Sequence, residues 1–154
     1  MFRELRRQDR KMDNNEIIEV LKKCQYGVLS TVGIDGYAYG VPLGYVYLNN
    51  SIYFHCATVG HKLDNIRNND KVSFCIVGEV DPVPEKFTTK YKSVILFGKA
   101  SEVNDDEKYS ALMAILEKYA GQYMDKGKEY IKNAGEKVKV IKISIDYIEG
   151  KTNR

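Results

Sequence analysis

The chain has two histidines in 154 residues, and both fall in one stretch, Tyr53-Phe54-His55-Cys56-Ala57 followed by Gly60-His61-Lys62. An imidazole with an unperturbed pKa of about 6.5 donates or relays a proton near neutral pH. His55 therefore suits acid–base work by type, although a histidine at a strand end also serves as hydrogen-bonded structure. Gly60-His61-Lys62 suits a different task. A glycine turn that opens a helix presents free backbone N–H groups and the positive end of the helix dipole, and Lys62 adds a full charge. A phosphate monoester fits that set, as does an ordinary solvated helix start. The two histidines have no acidic third ligand at a usual spacing, which argues against a metal site. No Ser-His-Asp or Cys-His nucleophile arrangement stands out, so hydrolysis has little support.

The stretch Tyr37–Leu48, read as one strand, is the second source of chemistry. Its odd positions are large (Tyr37, Tyr39, Val41, Leu43, Tyr45, Tyr47), and its even positions up to 44 are small or flat (Ala38, Gly40, Pro42, Gly44). Side chains alternate faces along a strand, so one face is bulky and the other is nearly bare backbone. Glycines inside strands mark places where a ligand or another backbone comes close. Pro42 lacks an N–H, which puts its flank at an edge or an interruption. A planar ring could lie in such a trough. Close packing against a helix or a second subunit would use the same face, and the strand alone leaves both readings open.

The neighbouring elements follow from periodicity. Asp13 is expected to cap a helix, with Glu16 in the capping-box position and Ile17, Val20, Leu21 and Cys24 as its buried stripe. Strands are expected at Val28–Val32, Ser51–Ala57, Val72–Val77, Lys92–Val103 and Val138–Tyr147. Ile34-Asp35-Gly36 and Asn49-Asn50 supply hairpin turns. The strand Ser51–Ala57 is expected to pair with the bare strand and to lead into a short helix, His61–Asn68. Gly78–Lys90, with Pro82 and Pro84, reads as a long connection. Asn104 caps a helix with Tyr109, Leu112, Met113, Leu116, Tyr119 and Ala120 on one stripe, and Lys126–Asn133 forms a further short helix. A phase jump at Val140-Ile141 suggests a β-bulge. Short strands, hairpins and peripheral helices point to a mainly β class, an antiparallel barrel with peripheral helices. The chain reads as a single domain, 1–154, with an N-terminal arm at 1–12 and a helical insertion at 104–134 before the last strand.

Bulk composition narrows the class. The chain is 44% hydrophobic and 29% charged, with net charge +3, which requires neither a nucleic acid nor a membrane partner. The basic arm with Arg3, Arg6, Arg7, Arg10 and Lys11 reads as solvated. No apolar run approaches the roughly 20 residues of a membrane helix, and no signal-peptide pattern opens the chain, so it reads as cytoplasmic. Cys24, Cys56 and Cys75 are odd in number, without CxxC spacing, and read as small buried residues.

The runs Tyr39-Gly40-Val41-Pro42-Leu43-Gly44-Tyr45-Val46-Tyr47, Ile52-Tyr53-Phe54-His55-Cys56-Ala57 and Gly60-His61-Lys62 together resemble the nitroimidazole-resistance (Nim) proteins. These belong to the pyridoxamine 5′-phosphate oxidase-like FMN-binding split barrels. Met1–Arg7 and Tyr91–Gly98 support the resemblance, which covers roughly residues 1–103 well and the remainder thinly. It implies a split β-barrel homodimer with FMN at the subunit interface. Val41, Pro42, Leu43 and Tyr45 would lie along the isoalloxazine, largely through backbone groups. His55 would sit beside the ring with Ala57 next to it, His61 and Lys62 would hold the phosphate, and Tyr91 and Ser93 would approach from the same or the partner chain. Gly44 stands where relatives often carry Ser or Asn. The basic set that pyridoxamine phosphate oxidases use for a second phosphate is not found, which argues against a vitamin B6 substrate.

The resemblance implies an FMN-dependent oxidoreductase in which His55 is catalytic. It would reduce nitroaromatic or other small electrophilic acceptors with electrons from NAD(P)H. The alternative is a non-enzymatic flavin carrier or redox-responsive protein, since fold and cofactor do not fix the reaction.

Overall fold

The structure is a computed structural model that describes every residue from Met1 to Arg154. Its strands are β1 Tyr26–Val32, β2 Ala38–Gly44, β3 Val46–Leu48, β4 Ser51–Cys56, β5 Lys71–Val83, β6 Thr88–Val103 and β7 Lys139–Asn153. They form one antiparallel sheet in the order β2-β1-β5-β6-β7-β4-β3. The α-helices are α1 Asn14–Lys23, α2 His61–Asn68, α3 Asp105–Ala120 and α4 Met124–Ala134. No helix is long and apolar enough to cross a membrane.

The two edge strands, β2 and β3, are neighbours in sequence, separated by Tyr45 alone. The sheet thus curls until its edges meet at that residue, giving a split β-barrel. The expected single strand Tyr37–Leu48 is two strands, because α3 intercepts the ladder at Tyr45. The Tyr45 N–H donates to Tyr119 Oη at 2.9 Å, and the Tyr45 carbonyl accepts from Lys118 Nζ at 2.9 Å. The Tyr45 ring turns inward, fully buried and edge-on to Phe74 at 5.2 Å, and its hydroxyl donates to the Leu21 carbonyl at 2.6 Å. Pairing also departs from expectation. β2 pairs with β1, while β4 pairs with β3 and β7.

One core fills the barrel, with Leu29, Phe54, Phe74, Ile76, Leu96 and Ile143 joined by Ile17 and Leu21 of α1 and Leu63 and Ile66 of α2. Each such side chain gains roughly 1.5–3 kcal/mol by leaving water. A second core lies between the outer surface and α3, where Ala111, Leu112 and Ile115 cover Val46, Tyr53 and Val140. The observed α3 stripe therefore differs from the expected one. Tyr109 and Tyr119 are exposed, and Leu116 packs so close to α4 that a Cβ on Gly127 would stand 2.1 Å from it.

Local signals mostly held. Asp13 accepts the Glu16 N–H at 2.9 Å, but the Glu16 carboxylate pairs with Arg154 at 2.7 Å instead of closing the capping box. Asn49 and Asn50 both take positive φ (51° and 56°), as a tight hairpin turn demands. Asn104 occupies the start of α3 without a side-chain cap. The bulge in β7 falls at Asp146, where pairing with β6 shifts between Tyr147 and Ile145, and not at Val140-Ile141. Those two are both buried because Val140 lies under α3 while Ile141 points into the barrel.

One further expectation is corrected and one refined. Gly78–Lys90 is not a loop: β5 and β6 run through it as a hairpin with a register shift between Gly78 and Asp81, turning at Pro84–Lys86. β1 pairs with β5 only at Ser73–Cys75, so Pro82 lies on a free edge, where its missing N–H costs no ladder bond. The N-terminal arm keeps Arg3, Arg6 and Lys11 exposed to solvent, but it is docked along the barrel. Phe2 stacks on Tyr147 at 5.1 Å, Lys11 bridges to Lys151, and Met12 is buried.

Candidate functional site

The end of β4 and the start of α2 bring four of the sequence-predicted residues together. β4 is buried at every position except His55, which shares the outward face with Tyr53. The His55 imidazole makes no hydrogen bond within the chain and opens into a cleft of about 530 Å³ whose other wall is Tyr130, Asn133, Ala134 and Lys137. Crowding by protein pulls its pKa below the ordinary 6.5, because desolvation disfavours the charged ring. Ala57 lines the same cleft.

Chain direction then reverses through Gly60 into α2. No side chain caps this helix, and its first internal bond is Asp64 N–H to the Gly60 carbonyl at 3.1 Å. The N–H groups of the first turn, His61 to Leu63, therefore face outward without protein acceptors. A Cβ on Gly60 would meet nothing within 4 Å, so the space beside the turn is open. Lys62 is half-buried and makes no ion pair. Its charge reaches the Cys56 thiol, which burial nonetheless pushes up. His61 stacks on Tyr39 at 3.9 Å, and that contact joins the start of β2 to the turn.

The bare face of β2 is present and larger than one strand. Gly40 and Pro42 point outward, and a Cβ on Gly40 would touch Val28 and Ser30 of β1. Register carries this face onward through Ser73, Cys75 and Val77 to Ser93, Ile95 and Phe97. Val77, Ile95 and Phe97 stay exposed in the single chain. Val41 and Leu43 point the other way and pack on the barrel core, as does the Tyr45 ring, so these three side chains are separated from the cleft group.

Tyr91 and Ser93 lie on the outer face at the far end of the barrel. Ser93 pairs with Lys151 and His55 pairs with Val140 on the same strand β7, a separation of roughly 35 Å along the strand at about 3.3 Å per residue. Against desolvation of the Tyr91 phenol, the nearby cations Lys151, whose Nζ lies 5.8 Å from the ring centre, and Arg10 hold its pKa below the ordinary value. Sequence reasoning missed these two cations, and it missed Tyr130, Asn133 and Lys137 on the cleft. A short helix near Lys126–Asn133 was legible, but nothing in its pattern says that it faces His55.

The fold is a split β-barrel of the pyridoxamine 5′-phosphate oxidase-like kind. Residues 13–152 match the family model described as pyridoxamine 5′-phosphate oxidase, and the chain belongs to that family. Among solved structures it is similar to a conserved hypothetical protein of Mycobacterium tuberculosis, at 22% identity and TM-score 0.84 over 98% of this chain and 91% of that one. It is similar to a proposed 5-nitroimidazole antibiotic resistance protein of Bacteroides thetaiotaomicron, at 23% identity and TM-score 0.75 over 92% and 86%. A FAD-binding protein of Mesorhizobium loti matches at 22% identity and TM-score 0.67 over 94% and 98%. No protein of curated function matches the chain.

Proposed function

We propose that this protein binds FMN as a homodimer and serves as an FMN-dependent oxidoreductase for nitroaromatic or other small electrophilic compounds, with electrons from NAD(P)H. The observation that carries the reading is the uncapped first turn of α2, which begins at His61, six residues along the chain from His55, with outward N–H groups beside the unpaired Lys62. Backbone donors and one ammonium suit a phosphate monoester. The family match and the FAD-binding relative support a flavin at such a site.

When bound, FMN supplies the two-electron redox chemistry. The chain's residues bind and orient it. His61 and Lys62 hold the phosphate, Lys62 neutralising its charge. The Val41–Leu43 backbone and Pro42 lie along the ring, and His55 donates or relays a proton on the side where the acceptor arrives. Tyr91 and Ser93 are too far from His55 to touch the same flavin within one chain, which supports a second copy as their route to it. The exposed outer face around Val77, Ile95 and Phe97 supports the same dimer, being an apolar surface of the kind that copies cover.

Purified protein is expected to be yellow and to release FMN, not FAD, on denaturation; a colourless protein that takes up neither cofactor overturns the reading. Lys62→Ala should weaken FMN binding roughly tenfold or more, the cost of a charge-assisted hydrogen bond, in a flavin-fluorescence titration. A second reading, a non-enzymatic flavin carrier or redox-responsive protein, is favoured by one observation: nothing in the chain hydrogen-bonds His55 to feed it protons. NAD(P)H that bleaches the flavin, with an acceptor restoring it at a rate that His55→Ala lowers, decides for the enzyme.

A further inference from the structure

We propose that the cleft between the end of β4 and α4 is the acceptor site, and that it selects a planar acceptor bearing a carboxylate, held by Lys137 and Asn133. The inference rests on the flavin reading and names the substrate class of that same site. A volume of about 530 Å³ lies within the range of small-molecule pockets and admits a single substituted ring.

Charge decides the class. No aspartate or glutamate lines the cleft, and Lys137 makes no ion pair. At the rim, Lys139 is paired with Glu102 at 3.6 Å, which leaves Lys137 as the free cation of the cleft. An unbalanced positive potential in a concave site raises the local concentration of anions. One free ammonium and one amide match a monoanion such as a carboxylate better than a phosphate dianion.

Lys137 is positioned by the chain and is not merely nearby. α4 ends at Ala134, and Gly135 adopts φ 48°, a left-handed conformation that glycine tolerates. Its N–H donates to the Ile131 carbonyl, and its own carbonyl accepts from Lys108 Nζ of α3 at 3.2 Å. The turn Gly135–Lys137 is thereby tied to α3 at the mouth of the cleft. Ala57, Ala134 and Val138 offer apolar contact, and the Tyr130 ring an aromatic one. An acceptor with its carboxylate at Lys137 then reaches across the cleft toward His55.

The test uses 4-nitrobenzoate and its methyl ester as probes. FMN-loaded protein is reduced with dithionite, and its reoxidation by each probe is followed at increasing concentration. The acid is expected to half-saturate at roughly fivefold lower concentration than the ester, the scale of a partly exposed ion pair. Lys137→Met should erase that preference and Lys137→Glu reverse it, with FMN uptake the same in both variants. Equal half-saturation by acid and ester in the wild type, or a preference that survives Lys137→Met, overturns the proposal. A second readout is independent of the cofactor: in flavin-free protein, 4-nitrobenzoate should shift the His55 Cε1–H resonance, and less so in Lys137→Met. Protein that takes up no FMN but shows that shift refutes the flavin reading and keeps the anion site. Protein that binds FMN without the shift, or without the preference, does the reverse.

Discussion

Lys118 is a half-buried lysine with no carboxylate beside it. Its ammonium donates to the Cys24 carbonyl at 2.7 Å and the Tyr45 carbonyl at 2.9 Å, and it lies 3.9 Å from the centre of the Tyr45 ring. Burial pulls its pKa down to about 8 from 10.5. Between those values the unfolded chain keeps a proton that the folded chain has released, so this group's contribution to stability rises with pH across that window. The urea midpoint of the wild type should therefore climb relative to Lys118→Met between about pH 7.5 and 9.5; two curves that run parallel would contradict this. His55 titrates the other side of neutrality. Its lowered pKa leaves it neutral at pH 7, so its stabilising effect is present above the unfolded value of 6.5 and lost as pH falls through the folded one. A rate that depends on protonated His55 should rise on acidification through that lowered pKa, and His55→Gln should remove the rise.

At the scale of elements, α3 and α4 meet at Gly127, where a Cβ would stand 2.1 Å from a Leu116 methyl. Gly127→Val should cost roughly 1–3 kcal/mol by overpacking, read as a lower urea midpoint. It should also loosen the α4 wall of the cleft, weakening acceptor binding more than flavin binding. What the sequence made legible was local. Asp-Gly and Asn-Asn marked their hairpins because backbone conformation alone demands those residues. Gly60-His61-Lys62 marked a helix start for the same reason. The break at Tyr45 left one trace, the end of the small even positions at Gly44 before Val46 and Leu48, while the large odd positions run on through Val41, Leu43, Tyr45 and Tyr47. Its causes, Lys118 and Tyr119, lie more than seventy residues away. Pro82 and Pro84 read as loop residues because a sequence does not reveal which strand flank is left unpaired. The site divided likewise: His55, Ala57, His61 and Lys62 are close in the chain and close in space, while Lys137 reaches them only through the packing of α4.

At the scale of the molecule, the outer sheet face is where the proposed dimer would form. Val77, Ile95 and Phe97, the last beside Phe2, are exposed on a surface that also carries Val28, Ser30, Ser73, Cys75 and Ser93, mostly small side chains that let two sheets approach. Ile95→Lys places a charge in the middle of it. The variant is expected to run as a monomer in size-exclusion chromatography and to lose FMN together with its partner; a dimer that keeps its flavin would remove this face from the interface.

The meeting of β2 and β3 at Tyr45 also bears on how the protein fails. An open seven-stranded sheet exposes two rows of unpaired backbone groups, each a template for another chain. Here both rows converge on one peptide, fastened by Lys118 and Tyr119. Any event that detaches the end of α3 loosens both edges together, and concentrates the risk of strand-to-strand aggregation at the one residue that also anchors this seam in the core.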